Sequence, residues 1–339
     1  MRDKILITQT GGWVGDMVLL TPALRALKRA YPQSRMDLLL RPLVAELMAK
    51  HPYVDEVIVD SKEQHRSRLK SLQQVTRSVQ QAEFDLAVVL HPTSFRNALI
   101  PFLARVPERI GANINGRGIL LTETCSNRRD CHEVHRYLQV LELLGIDTKD
   151  TSLEFWHTDV DRQAVRQMLT ENGIAPNERH IGVNLGTTWQ TKRWEVEKFA
   201  AALTQVQSII NVPIVLTGHT SDTALGEALQ RKVKASVINL IGATTLTQLG
   251  ALIENCSLYL TCDSGPMHIA AAVGTPTIAL FGPTCPARHR PYAEGHCVIE
   301  KRVPCRPCYK PTCKLKKSPN LCMTEIKPED VVETIIQAF

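Results

Sequence analysis

The sequence predicts an α/β protein with two domains, each built on a parallel β-sheet. The chain has 339 residues, which is more than one hydrophobic core usually serves, so two domains are expected. Short β-rich runs alternate with helical patterns, which is typical of βαβ units around a parallel sheet. Near residue 150 the alternation stops in the polar stretch GIDTKDTSLEF and then starts again. We therefore place the domain junction there.

The first half contains four predicted strands, each a short apolar run, and helices between and after them. The strands are expected near Ile5–Thr8, Met36–Leu40, Val57–Val59 and Leu86–Leu90. The helices are expected near Asp16–Ala30, Leu43–Lys50, Arg66–Gln81 and Arg136–Leu144. Apolar residues of the third helix recur at helical spacing and are expected to face inward. They are Leu69, Leu72, Val75 and Val79.

The second half repeats this alternation. Its first helix lies in DRQAVRQMLTENGI and ends at Gly173. Strands are expected at Ile181–Leu185, Ile214–Thr217, Val237–Leu240, Leu258–Thr261 and Thr277–Phe281. The sequence thus predicts two Rossmann-like domains, residues 1–155 and 156–326, and a closing helix in residues 327–339 that begins at Pro328. Open parallel sheets bind ligands beyond the carboxyl ends of their strands, so a cleft between the domains is the expected site.

The composition narrows the class of protein. With 44% apolar and 22% charged residues, the chain has the make-up of a globular protein and not of a disordered or fibrous one. No apolar run reaches the roughly 18 residues needed to span a bilayer. The N-terminal stretch MRDKILITQT enters a predicted strand at once and lacks the regions of a signal peptide. A cytoplasmic location is therefore expected.

The formal net charge of +6 is unevenly distributed. Seven Lys or Arg and no acid fall between Lys301 and Lys317. Either this segment or a second basic set near residue 70 suits the phosphates of a substrate, a lipid surface or nucleic acid. The alternative is a solvated surface, which the helical pattern favours near residue 70. The second set is Lys62, Arg66, Arg68, Lys70 and Arg77.

The segment TCDSGPMHIAAAVGTPTIALFGPT places polar residues at the start of an apolar run. A strand ends just before Asp263 and a helix begins near Pro266, so CDSGP is a strand-to-helix turn at the carboxyl edge of a sheet. The N–H groups at a helix start suit a phosphate, and Gly265 permits a ligand to approach closely. The alternatives are that Asp263 caps the helix and that His268 is a packed polar residue.

Two further turns have the same character. In ILITQTGGWVGDMVLLTPALRAL, a glycine-rich loop without GxGxxG spacing precedes Asp16, and its glycines leave room for a substrate to reach that carboxylate. The alternative is that Asp16 caps its helix. In NLGTTWQTKRW, the residues Thr187, Thr188 and Lys192 follow a strand and form a candidate phosphate clamp. The alternative is an ordinary surface lysine.

These turns together resemble glycosyltransferase family 9, the ADP-heptose:lipopolysaccharide heptosyltransferases, over almost the whole chain. The resemblance is carried by GDMVLLTPALRAL from Gly15, TKRW from Thr191 and the long block DSGPMHIAAAVGTPTIALFGPT from Asp263. The stretch PTSFRNALIPFLARVPERIG, from Pro92 to Gly111, is similar to the acceptor-side segment of the family. The stretch VPCRPCYKPTC is similar to that of heptosyltransferase II members.

The resemblance implies a GT-B fold, in which two Rossmann-like domains flank a cleft, the first holding the acceptor and the second the nucleotide sugar. It implies that Asp16 is the general base and that Lys192 is also catalytic. The ribose contact implied for Asp222 departs from the family pattern, because TGHTSD has His219 where the family has a second glycine. The implied donor-binding residues are Thr187, Thr188, Lys192, Asp222, Thr244, Asp263, Ser264, Gly265 and His268.

The implied reaction is inverting transfer of a heptose from an ADP-activated donor to the inner core of lipopolysaccharide. A carboxylate that is ionised at neutral pH suits the base, which takes the proton of the attacking hydroxyl. Lys192 and the helix start near Pro266 would stabilise the departing ADP, so no catalytic cofactor or metal is expected. The expected partners are ADP-heptose, a lipopolysaccharide core or lipid A acceptor and, peripherally, the inner membrane. Nucleic acid is not expected.

The cysteines raise a separate hypothesis. Ten cysteines in a chain without a signal peptide pattern should be mainly reduced. Four of them, Cys305, Cys308, Cys313 and Cys322, follow C-x2-C-x4-C-x8-C, which is metal-ligand spacing. The sequence predicts a structural zinc, or an iron, at this loop. The alternative is a set of free cysteines around an irregular loop.

Two other functions fit parts of the sequence. Two Rossmann-like halves also suit a nucleotide-dependent oxidoreductase, but the glycine fingerprint of a dinucleotide site is lacking. The basic cysteine loop suits a nucleic-acid-binding protein, but such proteins need several stacking residues and Tyr309 is the one aromatic residue between Lys301 and Lys317. Both functions rank behind the glycosyltransferase.

Overall fold

The computed structural model describes residues 2–61, 67–126, 128, 130–233 and 236–339. The chain divides into two units, Met1–Ser152 and Leu153–Phe339. Each unit contains a six-stranded sheet in which every neighbouring pair of strands is parallel. The predicted α/β class with two Rossmann-like domains is confirmed.

Unit 1 alternates strands and helices. Its strands are β1 (Lys4–Thr8), β2 (Arg35–Leu40), β3 (Glu56–Val59), β4 (Leu86–Val89), β5 (Glu108–Asn113) and β6 (Glu123–Ser126). Its helices are α1 (Val14–Ala30), α2 (Pro42–Met48), α3 (Arg68–Ala82), α4 (Phe95–Leu103) and α5 (Glu133–Glu142), with a 3-10 turn at Arg117–Leu120. The strand order β3-β2-β1-β4-β5-β6 reverses direction between β1 and β4. In such sheets this switch point is where ligands bind.

Unit 2 repeats the plan. Its strands are β7 (Ile181–Asn184), β8 (Ile214–Thr217), β9 (Val237–Asn239), β10 (Leu258–Cys262), β11 (Thr277–Phe281) and β12 (His296–Glu300). Its helices are α6 (Asp159–Glu171), α7 (Val196–Ile210), α8 (Thr223–Gln230), α9 (Leu246–Asn255), α10 (Gly265–Ala272), α11 (Pro286–His289), α12 (Leu321–Thr324) and α13 (Pro328–Ala338). Two 3-10 turns lie at Gln190–Lys192 and Thr220–Asp222. The order β12-β11-β10-β7-β8-β9 puts the switch point between β7 and β10.

The central strands are apolar along their whole length because they lie between two neighbours and are buried on both faces. Ile5 of β1, for example, pairs with Met36 of β2 and with Leu86 of β4, and all three are fully buried. In β7, Ile181 pairs in the same way with Ile214 and lies in the core of unit 2. Continuous apolar runs of this kind are the reason that the sequence predicts these strands.

The last helix, α13, belongs to unit 2 and packs against α7. It begins at Pro328, as predicted, and buries Val331, Val332 and Ile335 in the core. The indole of Trp194 lies in the same core and donates to the carbonyl of Ile326 at 3.1 Å. The C-terminal segment therefore stabilises the sheet of unit 2 through both apolar burial and a buried hydrogen bond.

Three strands and three helices are missing from the sequence-based prediction. The helices are α4 and the two short helices α11 and α12, and the strands are β5, β6 and β12, which read ERIGAN, ETCS and HCVIE. β6 and β12 lie at sheet edges and β5 is next to an edge. Their side chains are partly solvated, so the sequences mix polar and apolar residues and lack the continuous apolar run of a central strand.

The predicted helix near residue 70 is confirmed as α3, but it begins after Ser67, whose hydroxyl accepts from the N–H of Lys70 at 3.4 Å. Arg66, where the prediction began the helix, and the basic residue Lys62 lie outside the described residues.

One expectation for this helix is wrong. Val75 and Val79 are buried, as predicted, whereas Leu69 is 64% exposed. The buried residue of the first turn is Ser71, whose hydroxyl accepts from the guanidinium of Arg96 at 3.0 Å. The first turn is thus anchored by a polar contact, and Leu69 points into solvent.

Within the described residues, none of the helices is long and apolar enough to cross a membrane.

Candidate functional site

The switch point of unit 2 is organised by one buried amide. Asn184, at the end of β7, donates to the carbonyl of Gly186 at 2.9 Å, to Thr261 Oγ1 at 3.3 Å and to Ser264 Oγ at 3.2 Å. The hydroxyls of Thr261 and Ser264 also lie 3.0 Å apart. These bonds hold the turn after β7 against the turn after β10. The two segments singled out in the sequence are therefore neighbours.

An ion pair joins the same two segments. Lys192 Nζ lies 2.8 Å from Asp263 Oδ2, and the side chains are 19% and 6% exposed. The hydroxyl of Thr284 also donates to Asp263 Oδ2. Burial by itself would raise the pKa of Asp263, but the Lys192 ammonium and the hydrogen bonds from Lys192 and Thr284 lower it below its ordinary value. Asp263 is therefore an anion that holds a lysine in place.

Residues before and after Lys192 in the sequence fix its position. It ends a 3-10 turn, and its ammonium lies 4.9 Å from the ring centroid of Trp189. Two residues later Trp194 is buried in the core of unit 2, and the preceding Thr191 is buried as well. In the sequence TKRW, two cations therefore lie between two buried residues. The buried residues anchor the backbone on both sides and place Lys192 at the sheet edge.

Helix α10 begins directly after the ion pair. Ser264 occupies its N-cap position and Pro266 lies in its first turn, while Met267 and His268 are buried. The Ser264 hydroxyl bonds within the Asn184 network and makes no cap hydrogen bond. The alternative that Asp263 is a helix cap is therefore not supported. The first N–H groups of α10 lie at the switch point, where a helix start carries partial positive charge.

The other predicted donor-binding residues lie at the same edge of the sheet. Thr187 donates from its hydroxyl to the carbonyl of Trp189 at 2.7 Å, and Thr188 is exposed. The carboxylate of Asp222 packs on Gly186, since a Cβ on that glycine would lie 2.2 Å from Asp222 Oδ2. Thr244 follows β9, two strands from β7. Asp222 is thus brought close to the switch point, and Thr244 lies farther along the edge.

In unit 1, Asp16 lies in the first turn of α1, whose N-cap position is held by Trp13. A Cβ on Gly11 would be 2.6 Å from Asp16 Oδ2, so only a glycine lets the loop and this carboxylate pack together. Gln9 donates to the Tyr137 hydroxyl at 2.9 Å and accepts from the Gly11 N–H at 3.0 Å. Burial, and then the negative charge of Asp16, raise the pKa of Tyr137 well above its usual range.

The loop that carries Asp16 is also tied to the start of α4. Asn97 accepts from the Thr10 N–H at 3.1 Å and donates to the Thr10 hydroxyl at 2.7 Å, and its carbonyl accepts from the Thr8 hydroxyl at 3.2 Å. The resemblance assigns this part of the chain, from Pro92 to Gly111, to the acceptor side. The structure places its first helix at the switch point of unit 1.

The predicted zinc or iron at the cysteine loop is not supported. In the described part of the chain, which includes all of residues 236–339, no group of three or more His, Cys, Asp or Glu side chains lies close enough together to hold a metal ion. Cys322 is buried in the core of unit 2, Cys305 is exposed, and Cys313 accepts a hydrogen bond from the Asn320 N–H at 3.3 Å. Cys308 is half-buried. The sequence spacing is that of a metal site, but the fold distributes the thiols between core and surface.

The cysteine loop has another role, which is to brace the ion pair. The guanidinium of Arg306 donates to the carbonyl of Thr284 at 3.1 Å, and the hydroxyl of Thr191 donates to the carbonyl of Lys310 at 2.7 Å. Thr284 bonds Asp263, and Thr191 is the neighbour of Lys192. The loop therefore contacts the backbone on both sides of the pair.

Several residues around the two switch points, one in each unit, are absent from the sequence-based prediction. They are Gln9, Tyr137, Asn184, Thr284 and Arg306. One signal was present for Asn184, because it is the single polar residue of an otherwise apolar strand, IGVN. The others act through contacts between segments that are far apart in sequence, and nothing in a single sequence indicates such pairs.

Two Rossmann-like units, with a fixed lysine and a helix start at a switch point of the second, are typical of GT-B glycosyltransferases. The predicted GT-B class is confirmed by comparison with known proteins. Residues 72–318 match the profile described as glycosyltransferase family 9 (heptosyltransferase). The chain belongs to this family and is a glycosyltransferase, so the oxidoreductase alternative is not supported.

Individual relatives cover nearly the whole chain. The lipooligosaccharide heptosyltransferase 2 of Haemophilus ducreyi is 31% identical in an alignment of 310 residues, and the match covers 87% of this chain and 88% of that protein. A glycosyl transferase family 9 structure from Veillonella parvula has a TM-score of 0.84 and 24% identity, covering 100% of this chain and 98% of that one. The Escherichia coli ADP-heptose lps heptosyltransferase II has a TM-score of 0.77 and 24% identity, covering 99% and 98%. The two structures establish the likeness of fold.

The buried ion pair leads to a prediction about stability. Lys192→Met should destabilise unit 2 by about 3–5 kcal/mol, because it leaves Asp263 buried without its cation. Adding Asp263→Asn to the same chain should restore most of this loss, since the uncompensated charge is then removed. Chemical denaturation of the two single variants and the double variant measures the coupling. Additive losses would show that the two side chains do not stabilise each other.

The same pair should make stability depend on pH. The pKa of Asp263 is lowered in the folded chain, so its stabilisation is present above the pKa of an unfolded Asp, about 4. It is lost as the pH falls through the folded value. The stability difference between the native chain and the Lys192→Met/Asp263→Asn variant should therefore shrink below about pH 4.

Proposed function

We propose that the chain transfers a heptose, with inversion, from ADP-heptose to the inner core of lipopolysaccharide. The observation that carries this proposal is the lysine held by Asp263 beside the start of α10, at the switch point of unit 2. Family membership gives the reaction class. The similar Haemophilus ducreyi protein is a lipooligosaccharide heptosyltransferase. The Escherichia coli protein of similar fold is an ADP-heptose lps heptosyltransferase.

Unit 2 is proposed to bind the donor. The Lys192 ammonium has three N–H groups, and the Asp263 carboxylate accepts from one of them, so the others can reach phosphate oxygens. The first N–H groups of α10 supply further donors and the partial positive charge of the helix start. In this arrangement Asp263 acts mainly by holding Lys192, while Ser264, Gly265 and the backbone of His268 line the phosphates.

The remaining donor contacts are proposed from their places at the same sheet edge. Thr187 and Thr188 follow β7 directly and supply hydroxyls beside the phosphates. Asp222, which packs on Gly186, is placed to accept from the ribose hydroxyls. Thr244 lies two strands away and is proposed to contact the far end of the nucleotide. These roles combine the implied family contacts with the observed positions.

Asp16 is proposed as the general base. The acceptor hydroxyl attacks the anomeric carbon of the donor heptose, and its proton passes to the Asp16 carboxylate. The bond from the anomeric carbon to the phosphate oxygen breaks on the opposite face, which inverts the configuration, and ADP leaves with the electron pair. Lys192 and the α10 start stabilise the charge that develops on the leaving phosphate, so the proposed step uses no metal.

Unit 1 is proposed to bind the acceptor, a lipopolysaccharide core or its lipid A-linked precursor. Support comes from the packing of Asp16 at the switch point of unit 1 and from the tie between its loop and α4. An enzyme of this kind acts on the cytoplasmic side of the inner membrane, where both ADP-heptose and a membrane-bound acceptor are accessible. We therefore propose a cytoplasmic, peripheral location, with no role for nucleic acid.

A product assay tests the function as a whole. Incubation of the protein with ADP-heptose and defined lipopolysaccharide cores should give an acceptor whose mass increases by one heptose, with release of ADP. Cores that end before or after the first heptose distinguish the acceptor sites. Transfer from a different nucleotide sugar, with none from ADP-heptose, would contradict the proposed donor.

The role of Asp16 is tested by Asp16→Asn. Turnover should fall by about 10² or more, because the amide cannot take the proton, while ADP affinity should change little. The matched control is Glu329→Gln, which also removes a first-turn carboxylate, from the start of α13. Near-normal turnover in Asp16→Asn would show that Asp16 only stabilises its helix.

The donor site is tested by calorimetry with ADP. Lys192→Ala should weaken ADP binding about tenfold or more and raise the donor KM, because a charge-assisted contact to phosphate is lost. Asp263→Ala should also weaken binding, since it releases Lys192 from its position. Lys232→Ala, an exposed lysine paired with Glu197, serves as the control. Unchanged affinity in both site variants would place the nucleotide elsewhere.

A further inference from the structure

The loop that leads from β1 to Asp16 contains a buried amide that the proposed reaction leaves unused. Gln9 directly follows β1, is fully buried and continues the sheet by donating its N–H to the carbonyl of Leu39 at 3.1 Å. Its side chain is bonded at both ends. Nε2 donates to the Tyr137 hydroxyl at 2.9 Å, and Oε1 accepts from the Gly11 N–H at 3.0 Å. The orientation of the amide is therefore determined, with Oε1 toward Gly11.

Gln9 and Asp16 contact the same glycine. A Cβ on Gly11 would lie 2.6 Å from Asp16 Oδ2 and 3.0 Å from Gln9 Oε1. Because both oxygens lie this close to one point, the distance between them is at most the sum of the two, about 5.6 Å. Over such a distance a charge on one side chain acts strongly on the other. A displacement of Gly11 would also change the position of both.

Tyr137 fixes the other end of this amide. It is fully buried on α5, a helix that packs against α1. Burial, followed by the negative charges of Asp16 and Glu133, raises the pKa of Tyr137 well above its usual range. The phenol therefore stays protonated throughout the neutral pH range, and the hydrogen bond from Gln9 is one between two uncharged groups.

Two other elements hold the rest of the loop. Asn97 of α4 accepts from the Thr10 N–H at 3.1 Å. Arg41, in the turn after β2, packs on Gly12, since a Cβ on that glycine would lie 2.8 Å from Arg41 Cδ. The loop is thus held from α4, from α5 and from the turn after β2. The contact from α5 is made through Gln9.

Charged and titratable groups approach the loop from α5 and from the turns after β2 and β4. On α5, Glu133 and Arg136 form a buried ion pair of 2.6 Å, so the charge of this acid is balanced. His91 directly follows β4 and donates its N–H to the carbonyl of Thr8 at 3.1 Å. The full set around the loop is Arg41, His91, Glu133, Arg136 and Tyr137. A carboxylate at position 9 would therefore add an unbalanced negative charge beside Asp16.

We propose that Gln9 and Tyr137, the amide bridge, are positioning residues for Asp16 in proton acceptance. Tyr137 holds the Gln9 amide, Gln9 holds the Gly11 N–H, and Gly11 packs against the Asp16 carboxylate. Both bridge residues are uncharged, so they hold the carboxylate in place without a second negative charge that would disfavour its ionised form. The inference rests on the proposed function, in which Asp16 takes the proton of the acceptor hydroxyl.

Gln9→Glu tests the bridge by charge. The introduced carboxylate can accept from both the Gly11 N–H and the Tyr137 hydroxyl, so the bridge is kept. Its negative charge should move the acid limb of the single-turnover rate of transfer to higher pH by about one unit or more, and the rate should recover at high pH. Gln9→Met, which is uncharged and makes neither bond, should lower the rate about tenfold without moving the acid limb.

Tyr137→Phe tests the bridge by geometry. It keeps the ring and removes the hydroxyl that accepts from Gln9, so the single-turnover rate should fall about tenfold while ADP affinity and donor KM stay unchanged. The matched control is Tyr259→Phe in unit 2, where a fully buried hydroxyl bonds that of Thr217 at 2.7 Å. The control should lose comparable stability in chemical denaturation and keep its turnover.

A cooperative transition in chemical denaturation shows that each variant is folded. An acid limb that stays in place in Gln9→Glu, while Asp16→Asn abolishes transfer, would contradict the inference alone. Equal rate losses in Tyr137→Phe and Tyr259→Phe would also overturn it, because a general loss of stability would then explain both. Near-normal turnover in Asp16→Asn would instead contradict the proposed base, and the inference with it. If Gln9→Glu does not fold, the comparison of the two Phe variants decides.

Discussion

The position of Lys192 in unit 2 depends on a buried carboxylate that keeps its charge. Asp263 is held ionised against the cost of burial by Lys192 and Thr284, and each of these partners is fixed by something else. Lys192 is followed by a buried tryptophan, and the backbone of Thr284 accepts from Arg306. A buried ion pair contributes little net stability when its desolvation is counted. Its value here is geometric, since it holds one ammonium beside the start of a helix.

The cysteine loop contacts the residues next to this ion pair. The loop contacts the turns that carry the pair through two hydrogen bonds, from the Thr191 hydroxyl to the Lys310 carbonyl and from Arg306 to the Thr284 carbonyl. The segment is also rich in positive charge, since seven Lys or Arg lie between Lys301 and Lys317. The loop therefore holds the backbone beside the ion pair and brings a basic segment next to it.

The sequence predicts those elements whose structure is determined by residues that are neighbours in sequence. A run such as ILI in β1 is apolar because both faces are buried, and that property is visible in single residues. A first turn with Leu69 exposed and Ser71 buried is not predictable in this way, because it depends on Arg96, 25 residues further on. The cysteine spacing did not predict the structure for the same reason. Within the described residues the four thiols do not group as metal ligands, and Cys322 lies in the core while Cys305 is exposed.

Both units contain the same local arrangement, in which a glycine packs against a carboxylate, but its surroundings differ. In each, a glycine after the first strand packs directly against a carboxylate, Gly11 against Asp16 and Gly186 against Asp222. A side chain at either glycine would displace the acid, so this arrangement places a carboxylate close to a switch point. In unit 2 the neighbouring turn adds a lysine and a helix start, which suits an anionic ligand. In unit 1 the neighbouring turn instead adds α4, whose Asn97 accepts from the Thr10 N–H. The two units therefore differ in the residues around the same kind of turn. We propose that this difference suits unit 1 to accept a proton and unit 2 to bind phosphate.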